Sequence, residues 1–156
     1  MSVDPGAAGF SPPDQPGGLK PAAPHCLAAA DLIADLLARG HAVRFRAAGA
    51  SMHPIIRGED YLHVEPVLNV RVGDVVLTMA NRGLTAHRVV FVHGESLITR
   101  GDNAPADDAP IDRDRVLGLV THAERHGRKR RIRRGAFWTA VARATAFAHR
   151  LIAALA

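Results

Sequence analysis

Several common sources of stability and targeting are missing from this chain. Its 156 residues include one cysteine, Cys26, so no intrachain disulfide can form, and that residue reads as a small apolar side chain rather than a reactive thiol. Aromatics make up only 4% of the sequence, which leaves aliphatic residues and alanine to fill a core. No uninterrupted apolar run reaches the roughly eighteen residues of a membrane span; the best candidate, Ala136 to Ala156, is broken by Arg143, His149 and Arg150. The N-terminus has no basic stretch followed by an apolar run, so no signal peptide is expected. The expected location is the cytoplasm, or the periphery of the cytoplasmic membrane.

What is present is ample apolar content, 47%, and a net charge of +5 with a sequence pI near 10.6. The length suits one hydrophobic core. Much of the positive charge lies in one place, Arg125 to Arg134, so its location matters more than its sum.

Residues 1–24 hold most of the ten prolines and few large apolar side chains, too little to offset the entropy of ordering, and are expected to be a disordered tail. From His25 to Arg39 the residues Leu27, Ala30, Leu32, Ile33, Leu36 and Leu37 recur at helical spacing, and Gly40 is a natural stop. Strand character follows at Ala42 to Ala47, Tyr61 to Glu65, Val75 to Ala80, Leu84 to Val92, Ser96 to Thr99 and Arg115 to Glu124, divided by Gly, Pro, Asn and Asp clusters. The continuous apolar run after Asp74 suits a strand buried on both faces. The expected units are thus the tail 1–24, a mainly β domain 25–124 with its N-terminal helix, and a basic segment with an amphipathic helix over 125–156.

The chemistry-bearing residues lie in the β region. Gly49-Ala50-Ser51-Met52-His53-Pro54 sets a hydroxyl between a flexible approach and a proline that shapes the next turn. A turn serine is ordinarily only a turn or cap residue, and a strand histidine such as His87 is ordinarily a half-exposed side chain. A hydroxyl needs a base to become a nucleophile, and a neutral imidazole, with an ordinary pKa of about 6.5, can serve. A carboxylate would then orient the imidazole, for which Asp102, Asp107 and Asp108 are all available. His53, His63, His87 and His93 lie on separate segments without acidic or cysteine partners at zinc-site spacing, so neither a metal nor another cofactor is expected.

The pieces carry more weight in order. Ser51-Met-His-Pro is followed by Asp60-Tyr-Leu-His-Val, Val72-Gly-Asp-Val-Val, Ala86-His87-Arg88-Val89-Val90, Thr99-Arg-Gly-Asp102-Asn103 and Val116-Leu-Gly-Leu-Val120. From about Val43 to Val120 this series resembles the type I signal peptidases and the related self-cleaving repressors. The resemblance implies coiled antiparallel β-sheets forming a partly open barrel. It also implies a serine endopeptidase that cleaves an extended peptide or precursor protein after small residues. Bacterial signal peptidases have a lysine where this chain has His87, so the match is to the histidine-containing branch of archaea and the endoplasmic reticulum. Ser51 would be the nucleophile, His87 the base, Asp108 the support for the imidazole and Asp102 the residue that holds the loop. The chain departs from the pattern at Gly49, where many relatives carry a hydroxyl that assists the oxyanion, and at Glu59, where they have glycine. The helix expected before the serine box, His25 to Arg39, is short and carries Asp31 and Asp35, so it is not expected to be the membrane anchor found there in signal peptidases.

Two other readings follow from these departures and from the basic segment. One is a catalytically silent module that binds a peptide in the same groove. The other is a basic protein that contacts an anionic membrane surface peripherally, through Arg128-Lys129-Arg130-Arg131 and the helix after it. Nucleic acid is an unlikely partner by composition, because aromatics are not interleaved with the basic run and no recognition helix precedes the β region.

Overall fold

The computed structural model describes residues 24–80 and 83–155. The tail expected over 1–24 lies, apart from Pro24, outside them. Helix α1 runs Pro24–Ala38 and stops in a Schellman arrangement: Gly40, at φ 86°, donates to Leu37 C=O at 3.0 Å while His41 N–H reaches Leu36 C=O at 2.9 Å. Gly40 stops the helix as its sequence position predicts.

Eight strands follow in one antiparallel sheet: β1 Val43–Arg46, β2 Tyr61–Glu65, β3 Val75–Ala80, β4 Gly83–His93, β5 Ser96–Arg100, β6 Ile111–Asp112, β7 Val116–Arg125 and β8 Arg128–Arg131. The order is β1-β2-β7-β3-β4-β5-β6, with β8 joined to β7. Strand β7 is where the sheet forks. One edge carries β2; the other carries β3 along Val116–Leu119 and β8 along His122–Arg125. The sheet bends at register shifts in the β2–β7, β3–β7 and β4–β5 pairs, and it does not close into a barrel. The fold is therefore mainly β, a partly open sheet flanked by two helices.

Bending covers both faces of β3, whose Val75, Val76 and Leu77 are 0–1% exposed, as the apolar run after Asp74 leads one to expect. Val75 and Leu77 join Leu37, Met52, Ile56, Leu62, Val64 and Val120 on one side. Val76 joins Val89, Leu97 and Leu119 on the other. The second helix, α2, spans Ala136–Leu155.

Two strands escape the pattern reading. β6 is only two residues long. β8, Arg-Lys-Arg-Arg with all four residues exposed, has no apolar alternation to reveal it. It exists because His126 and Gly127, at φ 49° and 74°, form the two-residue turn that folds a chain back on itself.

Two buried carboxylates pin this sheet to the basic segment. Asp60, 2% exposed, accepts two bonds of 2.7 Å from the Arg125 guanidinium and one of 2.9 Å from Arg57 N–H. Asp74, 1% exposed, accepts bonds of 2.6 and 2.9 Å from Arg134 and one of 3.0 Å from Arg71 N–H. Burial alone pushes the Asp60 carboxyl up, but the bonds from Arg125 and Arg57 and the charges of Arg125 and Arg130 together hold it below the ordinary carboxylate value.

A group whose folded pKa is depressed contributes stability above its unfolded pKa, and loses that contribution as pH falls through the folded value. Asp60→Asn should therefore cost about 3 kcal/mol at neutral pH, with a deficit that narrows below about pH 4. Denaturant titrations at neutral and acid pH check this; an equal deficit at both would contradict it.

Candidate active site

The loop that carries Ser51 leaves β1 and returns to β2. Its two stems are tied by Ala47 N–H to Asp60 C=O at 2.7 Å and Glu59 N–H to Ala47 C=O at 2.9 Å. Between them the chain turns tightly, with His53 N–H bonded to Ala50 C=O at 3.1 Å, Ile56 N–H to Met52 C=O at 2.9 Å, and a cis His53–Pro54 bond. Met52 and Ile56 are 4% exposed and belong to the core; Ser51 between the turn and the core faces solvent. Met52 and Ile56 anchor the turn in the core while the Ser51 hydroxyl stays accessible.

The departures at Gly49 and Glu59 have a backbone setting. Gly49 lies at φ 83° and Glu59 at φ 79°. The latter is a left-handed conformation that costs a side-chain-bearing residue about 1–2 kcal/mol, which gives a physical reason for glycine there. In this chain the Glu59 carboxylate pairs with Arg46.

His87 is on β4. Its Nε2 lies 3.0 Å from Ser51 Oγ, and its Nδ1 lies 2.6 Å from Asp108 Oδ2. The imidazole is mostly enclosed, with a side-chain exposure of 13%. Asp108 is held in turn: Thr99 Oγ1 donates to the same Oδ2 at 2.7 Å, and Asp108 N–H donates to Thr99 C=O at 2.8 Å. Of the three aspartates that the sequence left open, Asp108 is the one on the imidazole. Asp107 meets Arg100 at the surface.

Asp102 does not touch His87. It is 4% exposed and takes Arg88, the residue after His87, in a bidentate pair of 2.8 and 2.9 Å. The remaining Arg88 nitrogen reaches Gly73 C=O at 2.9 Å and Arg133 C=O at 3.1 Å. On its other side the Asp102 loop grips the serine turn. Asp102 N–H points at Met52 Sδ at 3.4 Å, Asn103 N–H bonds Ser51 C=O at 2.7 Å, and the Asn103 amide reaches Ala50 C=O at 3.3 Å.

Three residues around the site were not singled out by sequence reasoning. Thr99 reads as an ordinary strand residue, and Arg88 as the polar neighbour of a histidine. Gly101 reads as one more residue of its box; a Cβ there would stand 2.7 Å from Ser51 C=O oxygen and 3.2 Å from His87 Nε2, so only glycine lets its loop approach the serine turn and the imidazole. Among the described residues no three His, Cys, Asp or Glu side chains are grouped so as to hold a metal ion.

Beside Ser51 and His87 opens a largely apolar cleft of about 610 Å³, with walls from Ala30 and Ile33 of α1, Phe45 of β1, Met52, and Leu84 and Ala86 of β4. Two strand edges border it. Among the described residues β1 is the terminal strand of the sheet, and β4 pairs with β5 only from Arg88 onward, so that no described strand pairs with the outer edge of Gly83–His87.

A hydroxyl, an imidazole and a carboxylate thus stand in line, on a mainly β scaffold and beside an apolar cleft. The family model described as Peptidase S24-like matches residues 20–121, and the chain belongs to that family. No curated protein and no solved structure matches it. Among the described residues, no helix is long and apolar enough to cross a membrane.

Replacing Gly101 by alanine should force Ser51 and His87 apart. Gly101→Ala is expected to lower any Ser51-dependent turnover about a hundredfold while costing about 1–3 kcal/mol of stability. Initial rates and thermal melts on the same preparation check both; a folded variant with wild-type turnover would contradict the close approach drawn here.

Proposed function

We propose that the protein is a serine endopeptidase of Ser-His type, akin to the histidine-containing signal peptidases, that cuts extended peptides or precursor proteins after small residues. The observation that carries this reading is the single imidazole placed 3.0 Å from Ser51 Oγ and 2.6 Å from Asp108 Oδ2. With Asp108 accepting the proton on Nδ1, the lone pair of Nε2 faces the hydroxyl, which is the tautomer that a general base needs.

The mechanism follows from these positions. Ser51 Oγ attacks the peptide carbonyl carbon as its proton passes to His87 Nε2. The Asp108 carboxylate stabilises the imidazolium, and Thr99 fixes that carboxylate. The two turn bonds of the serine loop, from His53 and Ile56 N–H, leave the Ser51 amide to donate to the oxyanion. Imidazolium then protonates the leaving amine, and water repeats the cycle on the acyl-serine. Lysine is a poor alternative as base: the chain has two, Lys20 and Lys129, of which Lys129 is on β8 and Lys20 lies outside the described residues.

The cleft supports the substrate class proposed. The unpaired edges of β1 and of Gly83–His87 suit an extended chain bound by strand addition. Small side chains would point into the cleft that Ile33, Phe45, Leu84 and Ala86 line together with Ser51. The silent peptide-binding alternative draws support from Gly49, since that position supplies no hydroxyl to the oxyanion.

A panel of unstructured peptides that differ at one site tests the reading. Cleavage is expected after alanine or glycine in preference to leucine or phenylalanine. Ser51→Ala and His87→Ala should each lower turnover by about a thousandfold or more, and Asp108→Asn by about a hundredfold or more. Turnover that survives Ser51→Ala overturns the assignment; peptide binding without turnover in the wild type moves it to the silent module.

A further inference from the structure

The arginines of the basic segment divide into two groups. Arg125 and Arg134 are committed to buried aspartates. Arg128, Lys129, Arg130 and Arg131 of β8 are all exposed, and among the described residues none of the four forms an ion pair with a carboxylate. Arg130 instead donates to Ile55 C=O at 2.8 Å. Arg130 and Arg131 join Arg133, Arg134 and Trp138 in lining an open cleft of about 640 Å³ between β8 and the start of α2. The Arg133 guanidinium lies over the Trp138 ring at 4.4 Å.

Helix α2 is inside out for a surface helix. Its inner side carries Thr139 and Ala142, 8% and 0% exposed. At 3.6 residues per turn, Phe137, Ala140, Ala144, Phe147, Ala148 and Leu151 fall within an arc of about 100° on the opposite side. All six are exposed, with Phe137 at 70%, Phe147 at 65% and Leu151 at 52%. Among the described side chains of the helix, the solvent-facing stripe is thus apolar, next in the chain to a strand whose cations form no ion pair with a carboxylate.

We propose that β8 and α2 together dock on an anionic lipid bilayer. The Phe137, Phe147 and Leu151 side chains would enter the boundary between headgroups and acyl chains, with α2 in the plane of the surface, while β8 and the arginine-lined cleft face lipid phosphates. The charge complementarity decides the occupant. A purely apolar protein partner accounts for the helix stripe and leaves the β8 cations unexplained; a nucleic acid accounts for the cations and leaves the phenyl rings in water. An anionic bilayer uses both. Such docking brings the Ser51 cleft to a membrane surface, but the inference stands on β8 and α2 and does not require turnover.

The test is flotation of the full chain with vesicles of phosphatidylcholine alone or with phosphatidylglycerol added, together with the emission of Trp138, the only tryptophan and one that lines the proposed surface. Binding is expected to the anionic vesicles only, to weaken with salt, and to shift Trp138 emission to the blue. The double variants Phe147→Ser/Leu151→Ser and Arg128→Ser/Arg131→Ser alter exposed positions, so both should melt with the wild type and each should bind about tenfold or more weakly. No binding to phosphatidylglycerol vesicles, equal binding to neutral ones, or binding indifferent to both variants overturns the proposal. So does a dimer in sedimentation that Phe147→Ser/Leu151→Ser dissolves while vesicle binding persists, which would give the stripe to a second copy.

Discussion

The pair between Arg88 and Asp102 is the constraint on which the site rests. Both are almost wholly buried, at 2% and 4% exposure, where an ion pair recovers little more than the cost of desolvating it. Its contribution is therefore position. Arg88 follows His87 on β4, and Asp102 stands between Gly101 and Asn103, which press against and hold the Ser51 turn. The same guanidinium takes the carbonyls of Gly73 and Arg133, so one side chain ties β4, the serine turn's partner loop, the entry to β3 and the lead into α2. Removing the carboxylate would strand a buried cation at the point where those four segments meet.

Asp60 and Asp74 use the same device at the other two turns. Each caps the backbone three residues earlier and takes an arginine from the basic segment, Arg125 or Arg134. The basic segment is thus part of the domain's frame at its two ends and, in its middle, an exposed cationic strand without carboxylate partners among the described residues. Read as sequence it is a single run of charge; only the pairing of Arg125 and Arg134 with aspartates more than fifty residues away divides it into frame and surface.

The legible parts of the fold are those where local pattern and tertiary packing agree. β2 and β3 have the limits that alternation and apolar continuity predict, because one strand is half buried and the other is buried from Val75 to Thr78. β8 was hidden because four charged residues carry no strand period, and its cue was the His126-Gly127 turn. Ser51, His87 and Asp108 were legible through the resemblance of the ordered boxes to the signal peptidases, since residue type alone leaves Asp102, Asp107 and Asp108 open, and the fold sets the three at hydrogen-bonding distance. Thr99, Arg88 and Gly101 could not be given their parts, since each acts through a contact across strands rather than through anything in its neighbourhood in sequence. That Asp102 would pair with Arg88 was not legible.

The central claim is that the fold activates Ser51 through His87. The most direct measurement is intact mass of the purified chain after exposure to a serine-directed covalent probe, for the wild type beside Ser51→Ala and His87→Ala. The account predicts one adduct on the wild type, none on Ser51→Ala and a greatly slowed one on His87→Ala. A folded wild type that takes no adduct, or an adduct that persists without Ser51, would contradict it.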